Sequence, residues 1–214
     1  YAPVDIMVNH LRKEYVNYVD KIKLLPHGFD SDELPASINK TESPIKRILF
    51  YGSIYNGLDF EFDSIANSIK ENNLEVKIDI YSDSKKYMNV FIDRGLLKNK
   101  VNYYSALPSH ELFQLFQNYD YILLIHPDYG KDNLSTKFFE IIHTRTPIIY
   151  IGSEGKTGQF IRQNDLGYHF TRDEIYDSFA KIINNNLFLS YNSNFVTDDY
   201  SFELLTKKLI SEFK

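Results

Sequence analysis

Short blocks of apolar residues alternate along this chain with longer stretches whose apolar positions recur every three to four residues. The blocks mark strands buried in a sheet; the longer spacing marks helices with one apolar face. Strands are expected over 47–51, Val76–Tyr81, Val101–Tyr104, Tyr121–Ile125 and Ile148–Ile151. A helix is expected over Asp59–Glu71, with Phe60, Ile65, Ala66 and Ile69 inward, and another over 87–97. Pro108 and Ser109 open a third, whose apolar face is Leu112, Phe113, Leu115 and Phe116. Ser135 caps a fourth that runs through Lys137, Glu140 and His143. Further helices are expected over 157–163 and 173–184, and after Ser201, where Leu204, Leu205, Leu209 and Ile210 share one side. Alternation of this kind predicts an α/β fold, a Rossmann-like parallel sheet with helices on both faces.

The stretch from Tyr119 to Gly152 organises the rest. Strand, polar loop with Pro127 and Gly130, helix and strand follow one another within a single βαβ unit. Ligands of such sheets sit beyond the carboxyl ends of the strands, so the loop after Ile125 and the first turn of the next helix are where a site belongs. At about 100° per residue, Thr136, Lys137, Glu140, His143 and Thr144 share an arc of roughly 120°, opposite Phe138, Phe139, Ile141 and Ile142. The plain reading is a helix that shows this polar arc to water. The sharper reading starts from Lys137 in the first turn, where unpaired backbone N–H groups and the positive end of the dipole favour an anion. With Glu140 one turn on to take two ribose hydroxyls, the pair would seat a nucleoside diphosphate.

Three other features bear on the chemistry. The first strand ends in Gly52-Ser53-Ile54-Tyr55-Asn56-Gly57, and a glycine turn between strand and helix lets a phosphate approach the backbone. Gly152 to Gly158, reading GSEGKTG, suggests an ATPase phosphate loop, but that loop needs four residues between its first glycine and Gly-Lys-Thr. Here Gly152 and Gly155 enclose two, and the run reads as a glycine turn before a helix. Asp30-Ser31-Asp32 spells a metal-binding DxD, yet it lacks the preceding buried strand and nucleotide-binding region, and Asp30 reads as the end of a turn.

The run STKFFEIIHTRTPIIYIG, 135–152, resembles the donor-binding segment of bacterial GT-B glycosyltransferases, particularly relatives of the retaining family 4. That family pairs two acidic residues with seven between them; Asp132 and Glu140 have that spacing, with aspartate in the first place. Pro26, Gly28 and Asp30 match the family's Pro-x-Gly-x-Asp turn after a strand and a helix, and the chain near Pro108 is similar to its loop, helix and buried strand. Ser53 and Asn56 stand where family 4 commonly carries an arginine and a lysine, which leaves the diphosphate to Lys137, backbone amides and Lys131. The resemblance implies transfer of a hexose from a nucleotide diphosphate sugar to a glycan or lipid-linked acceptor, in cell-surface polysaccharide synthesis, with no metal and no other cofactor. Lys137 would neutralise the leaving diphosphate and Glu140 hold the ribose, as the catalytic pair. Gly52, Ser53, Tyr104, His126, Asp128, Asp132, Ser135 and Thr136 would complete the donor site, with Tyr103 or Tyr104 placed to stack on the base. The implied organisation is a crossing segment and linker over 1–44 (the linker itself at 35–45), the donor-binding domain over 45–190, and a crossing helix over 191–214. Because the pattern starts mid-element at Tyr1, the expectation is a donor half that binds its nucleotide sugar but leaves the acceptor to a missing N-terminal domain.

Composition narrows this further. The chain of 214 residues suits one sizeable α/β core. Without cysteine it has neither disulfides nor thiolate metal sites, which fits a reducing compartment. A net charge of −5 offers no basic field for nucleic acid, and no apolar run approaches the roughly 20 residues that span a bilayer. The expected location is the cytoplasm, with the inner face of the membrane as a peripheral site for a full-length enzyme. Two other readings stay open, a nucleotide-sugar epimerase of related architecture and a non-catalytic nucleotide-binding module.

Overall fold

The structure, a computed structural model, describes residues 1–33, 44–185 and 191–213. Among these, six parallel strands form one sheet in the order β3-β2-β1-β4-β5-β6. They are β1 (Lys46–Tyr51), β2 (Val76–Tyr81), β3 (Val101–Tyr104), β4 (Tyr121–Ile125), β5 (Ile148–Ile151) and β6 (Gly167–Phe170). Alternate residues of each strand face opposite layers of helix. Ile48, Phe50, Ile78, Ile80, Leu123, Ile125, Ile149 and Ile151 pack under α2 (Asp59–Glu71), α3 (Met88–Asp93) and α7 (Ile175–Ile183). Leu49, Tyr51, Ile122, Leu124, Ile148 and Tyr150 pack under α4 (Ser109–Leu115), α5 (Thr136–His143) and α6 (Lys156–Gln163). Strands buried on both faces read as near-continuous apolar runs, which is why β4 and β5 stand out in the sequence.

Several expectations change. Phe60 is 44% exposed on α2, lying under the Arg172 guanidinium, and Phe62 takes the inward place. The helix expected over 87–97 ends at Asp93, where the chain turns at Gly95. Strand β6 was not expected; its four residues pair with β5 from Ile148↔Gly167 to Ile151↔Phe170. The helix expected from 173 begins as a 3₁₀ turn at Arg172–Glu174 under a Thr171–Glu174 capping box.

The N-terminal segment holds α1 (Asp5–Glu14), and the strand expected ahead of it shrinks to a bridge between Ala2 and Leu24. Asp30 accepts from the Asp32 N–H at 3.0 Å, a local turn. Phe29 then joins the chain's other end: its N–H donates to Tyr200 O at 3.1 Å, and Phe202 N–H donates to Phe29 O at 2.9 Å. The final helix, α8 (Phe202–Ser211), starts there with Ser201 as its cap and buries Leu205, leaving Ile210 exposed. The expected linker at 35–45 lies, except for its last two residues, outside the described residues.

Candidate functional site

The strand order reverses between β1 and β4: β1 leads away to β2 and β3, β4 to β5 and β6. Their following loops diverge and leave a crevice beyond the carboxyl ends, the usual ligand position of an open parallel sheet. A cavity of about 380 Å³ lies there. Gly52, Ser53 and Tyr55 line it from the loop after β1, His126, Tyr129 and Asn133 from the loop after β4, and Ser135, Thr136 and Lys137 from the start of α5. The Ser135 hydroxyl accepts from Phe138 N–H at 3.3 Å, fixing the first turn of α5 against this space.

Lys137 does not point along a water-facing arc. Its amine donates to the carbonyl of Tyr51 and sits 4.1 Å from the centre of the Tyr51 ring and 5.3 Å from that of Phe50. Burial among these groups lowers its pKa from 10.5 to about 8, against the opposing charge of Glu140. The amine is thus still mostly protonated at neutral pH while much of its hydration has been stripped away. Gly52 makes this possible. Its φ of +94° is a left-handed value, and a Cβ there would lie 3.3 Å from Lys137 Nζ.

His126 shares the cavity. Burial lowers its pKa to about 4, with the Lys137 charge acting the same way and the Gly130 backbone opposing. The imidazole is therefore neutral at pH 7, edge-on to Tyr150 at 5.5 Å. Its Nδ1 is buried with no hydrogen-bond partner among the described residues.

Of the residues singled out in sequence, the cavity gathers Gly52, Ser53, His126, Ser135, Thr136 and Lys137. The others stand apart from its lining. Glu140 lies one turn along α5, where its charge acts on both Lys137 and Tyr51. Tyr104 stacks on Tyr81 at 4.7 Å at the end of β3. Asp128 accepts from the Ser153 hydroxyl, and Asp132 accepts from Lys156 N–H at 2.9 Å at the first turn of α6. Both acidic groups thus tie the loop after β4 to the β5–α6 turn. Tyr55, Tyr129 and Asn133 were missed; they stand in loops, where no periodicity ranks one residue above another.

The glycines of the apparent ATPase loop have a packing role. A Cβ on Gly155 would lie 2.7 Å from Lys131 O, and one on Gly158 would lie 2.4 Å from the His169 ring. Their absence of side chains lets α6 close on the loop after β4 and on β6.

No known family signature matches the chain, and no curated protein matches it in sequence. Solved structures do match. A glycosyltransferase from Rickettsia africae superposes with a TM-score of 0.69 at 17% identity, over 99% of this chain and 61% of that one. The lipopolysaccharide outer core galactosyltransferase WaaB, in its apo form, gives 0.66 at 12% identity, over 99% and 60%. Anabaena HepE, solved with UDP and glucose, gives 0.68 at 12%, over 99% and 62%. The fold is that of one half of a GT-B glycosyltransferase. The chain spans about three fifths of the length of each of these proteins. The Rossmann-like parallel sheet expected as one half of a GT-B fold is therefore the architecture observed.

Proposed function

We propose that this chain is the donor-binding half of a glycosyltransferase, seating a nucleotide diphosphate sugar in the crevice between β1 and β4. One observation carries the reading: a partly desolvated ammonium, Lys137, set at the helix start where two strand-end loops part. A diphosphate placed there meets the charge of Lys137, the first N–H groups of α5 and the bare backbone at Gly52. In the reaction, the bond from the anomeric carbon to the diphosphate oxygen breaks and a bond to an acceptor hydroxyl oxygen forms, the hydroxyl proton leaving. The leaving diphosphate keeps the electron pair, and Lys137 stabilises that charge without a metal. Glu140 acts beside Lys137 and on the ribose, and Asp128, Asp132 and Tyr104 belong to the wider donor site, Tyr104 toward the base.

The residues around Lys137 and Glu140 resemble those of family 4, and in this reading the donor carries a hexose. The acceptor, a glycan or lipid-linked molecule of polysaccharide synthesis, belongs in this reading to a domain outside the 214 residues. No helix among the described residues is long and apolar enough to cross a membrane, and the reading places the reaction in the cytoplasm, with peripheral contact at the membrane's inner face.

The test is a thermal-shift and calorimetric titration with UDP, ADP and GDP, each with and without a chelator. At least one is expected to stabilise the fold by about 2.7 kcal/mol at a hundred times its Kd, unchanged by the chelator and lost in Lys137→Ala/Glu140→Ala. Binding that survives the double variant, or that needs manganese, would overturn the assignment.

A further inference from the structure

Two tyrosines frame the mouth of the cavity, and nothing in the diphosphate seat uses them. Tyr55 comes from the loop after β1 and Tyr129 from the loop after β4; both line the cavity. Their ring centres are 6.5 Å apart at an interplanar angle of 86°, so one presents its edge to the face of the other across the crevice. Tyr129 is 78% exposed and Tyr55 46%, so burial in a core explains neither ring.

Each ring stands on an anchored backbone. The Tyr55 carbonyl accepts from the Tyr87 hydroxyl at 3.3 Å, and the same hydroxyl accepts from Leu58 N–H at 3.2 Å. Beside Tyr129, Gly130 N–H donates to Pro127 O at 2.8 Å, and Asp128 holds Ser153. The backbone that carries each ring is therefore held in advance of any ligand, which limits part of the ordering cost of binding.

The other lining groups indicate what enters. Lys137 carries the one formal charge among the described lining residues, since His126 is neutral, and a diphosphate takes that charge up. Ser53 and Asn133 are uncharged hydrogen-bonding residues. Aromatic faces with neutral hydroxyl and amide groups match a pyranose, which has apolar C–H faces and a rim of hydroxyls. They do not match a sugar acid, whose carboxylate would need a second cation.

We infer that Tyr55 and Tyr129, set edge to face, together form an aromatic wall against which the sugar of the donor packs, and so select an uncharged pyranose. This rests on the nucleotide-sugar reading above. The experiment compares UDP, UDP-glucose, UDP-galactose, UDP-N-acetylglucosamine and UDP-glucuronate by calorimetry on the whole chain. The unaltered protein is expected to bind at least one uncharged conjugate more tightly than UDP, and UDP-glucuronate no better than UDP. Tyr129→Ala and Tyr55→Ala should each weaken the preferred conjugate by about three- to tenfold and leave UDP unchanged. Tyr129→Phe should keep the preference, because the ring and not the hydroxyl makes the contact. Equal losses for UDP and its conjugates would place the rings on the base or diphosphate and overturn the inference. So would variants that change neither, or a preference for glucuronate. If the unaltered chain binds ADP or GDP but not UDP, the same comparison is made with the sugar conjugates of that nucleotide; if it binds none of the three, the nucleotide reading fails and this inference falls with it.

Discussion

Lys137 has a pKa of about 8 in the folded chain and an ordinary 10.5 once unfolded. Between those values the unfolded chain holds a proton that the folded chain has released, so stability rises with pH across that window. Below pH 8 the burial penalty is fully present. Bound diphosphate has the opposite preference, since its charge favours the ammonium form. Affinity for UDP is therefore expected to fall above about pH 8, with proton uptake on binding near that pH; titrations in buffers of different ionisation heat measure both, and Lys137→Met should remove them. His126 behaves in the acid range. Its folded pKa of about 4 lies below the ordinary 6.5, so stability is lost as pH falls from 6.5 toward 4. Urea denaturation of His126→Phe at several pH values should show a shallower acid loss than the unaltered chain.

At the scale of elements, the loop after β4 owes its position to α6 as much as to its own residues. Asp132 satisfies a backbone N–H that the first turn of α6 leaves open, and Thr157 N–H reaches Lys131 O at 3.1 Å. Asp132→Ala is expected to cost about 1 kcal/mol, the usual value of a lost cap, and Asp132→Asn, which keeps an acceptor, to restore most of it. A thermal melt separates the two. Gly52, without a side chain, leaves room for Lys137 of α5 at the end of β1. Gly52→Ala forces a side chain into left-handed backbone, at a cost of about 1–2 kcal/mol, and crowds the Lys137 amine. Both stability and UDP affinity should fall, the second by more than the melt alone explains.

Across the whole molecule, the two ends of the chain meet. Lys23 and the Tyr1 hydroxyl both reach the Glu212 carboxylate, at 2.7 and 2.5 Å, on the surface, where such contacts contribute little. The firmer link is Phe29, 1% exposed, which pairs its backbone with Tyr200 and Phe202 and lays its ring 4.4 Å from His143 at the end of α5. Phe29→Ala should destabilise the fold by about 3–5 kcal/mol, seen as a lower urea midpoint, whereas Glu212→Gln should leave that midpoint essentially where it is.

Much was legible without coordinates. β4 and β5 are apolar runs, α5 has a cap and a clean apolar face, and their order dictates a parallel pair with a ligand crevice at its end. Lys137 could be placed at that crevice because a helix start and a strand end are both local signals. Local rules failed where a residue's partner is distant in sequence. Strand β6 is a four-residue segment that exists because β5 offers an edge for it. Phe60 and Phe62 are two positions apart on α2, and only the packing of the opposite layer decided which was buried. The polar arc of α5 suggested solvent for Lys137; the return of β1 beside it put an aromatic wall and a carbonyl there and moved its pKa. Tyr55 and Tyr129 are 74 residues apart in loops without periodicity. Periodicity therefore determined the elements and their order, since it follows from each segment's own geometry. Tertiary structure decided the charge state of the site and the shape of its mouth, because burial and contact depend on segments that meet only after folding.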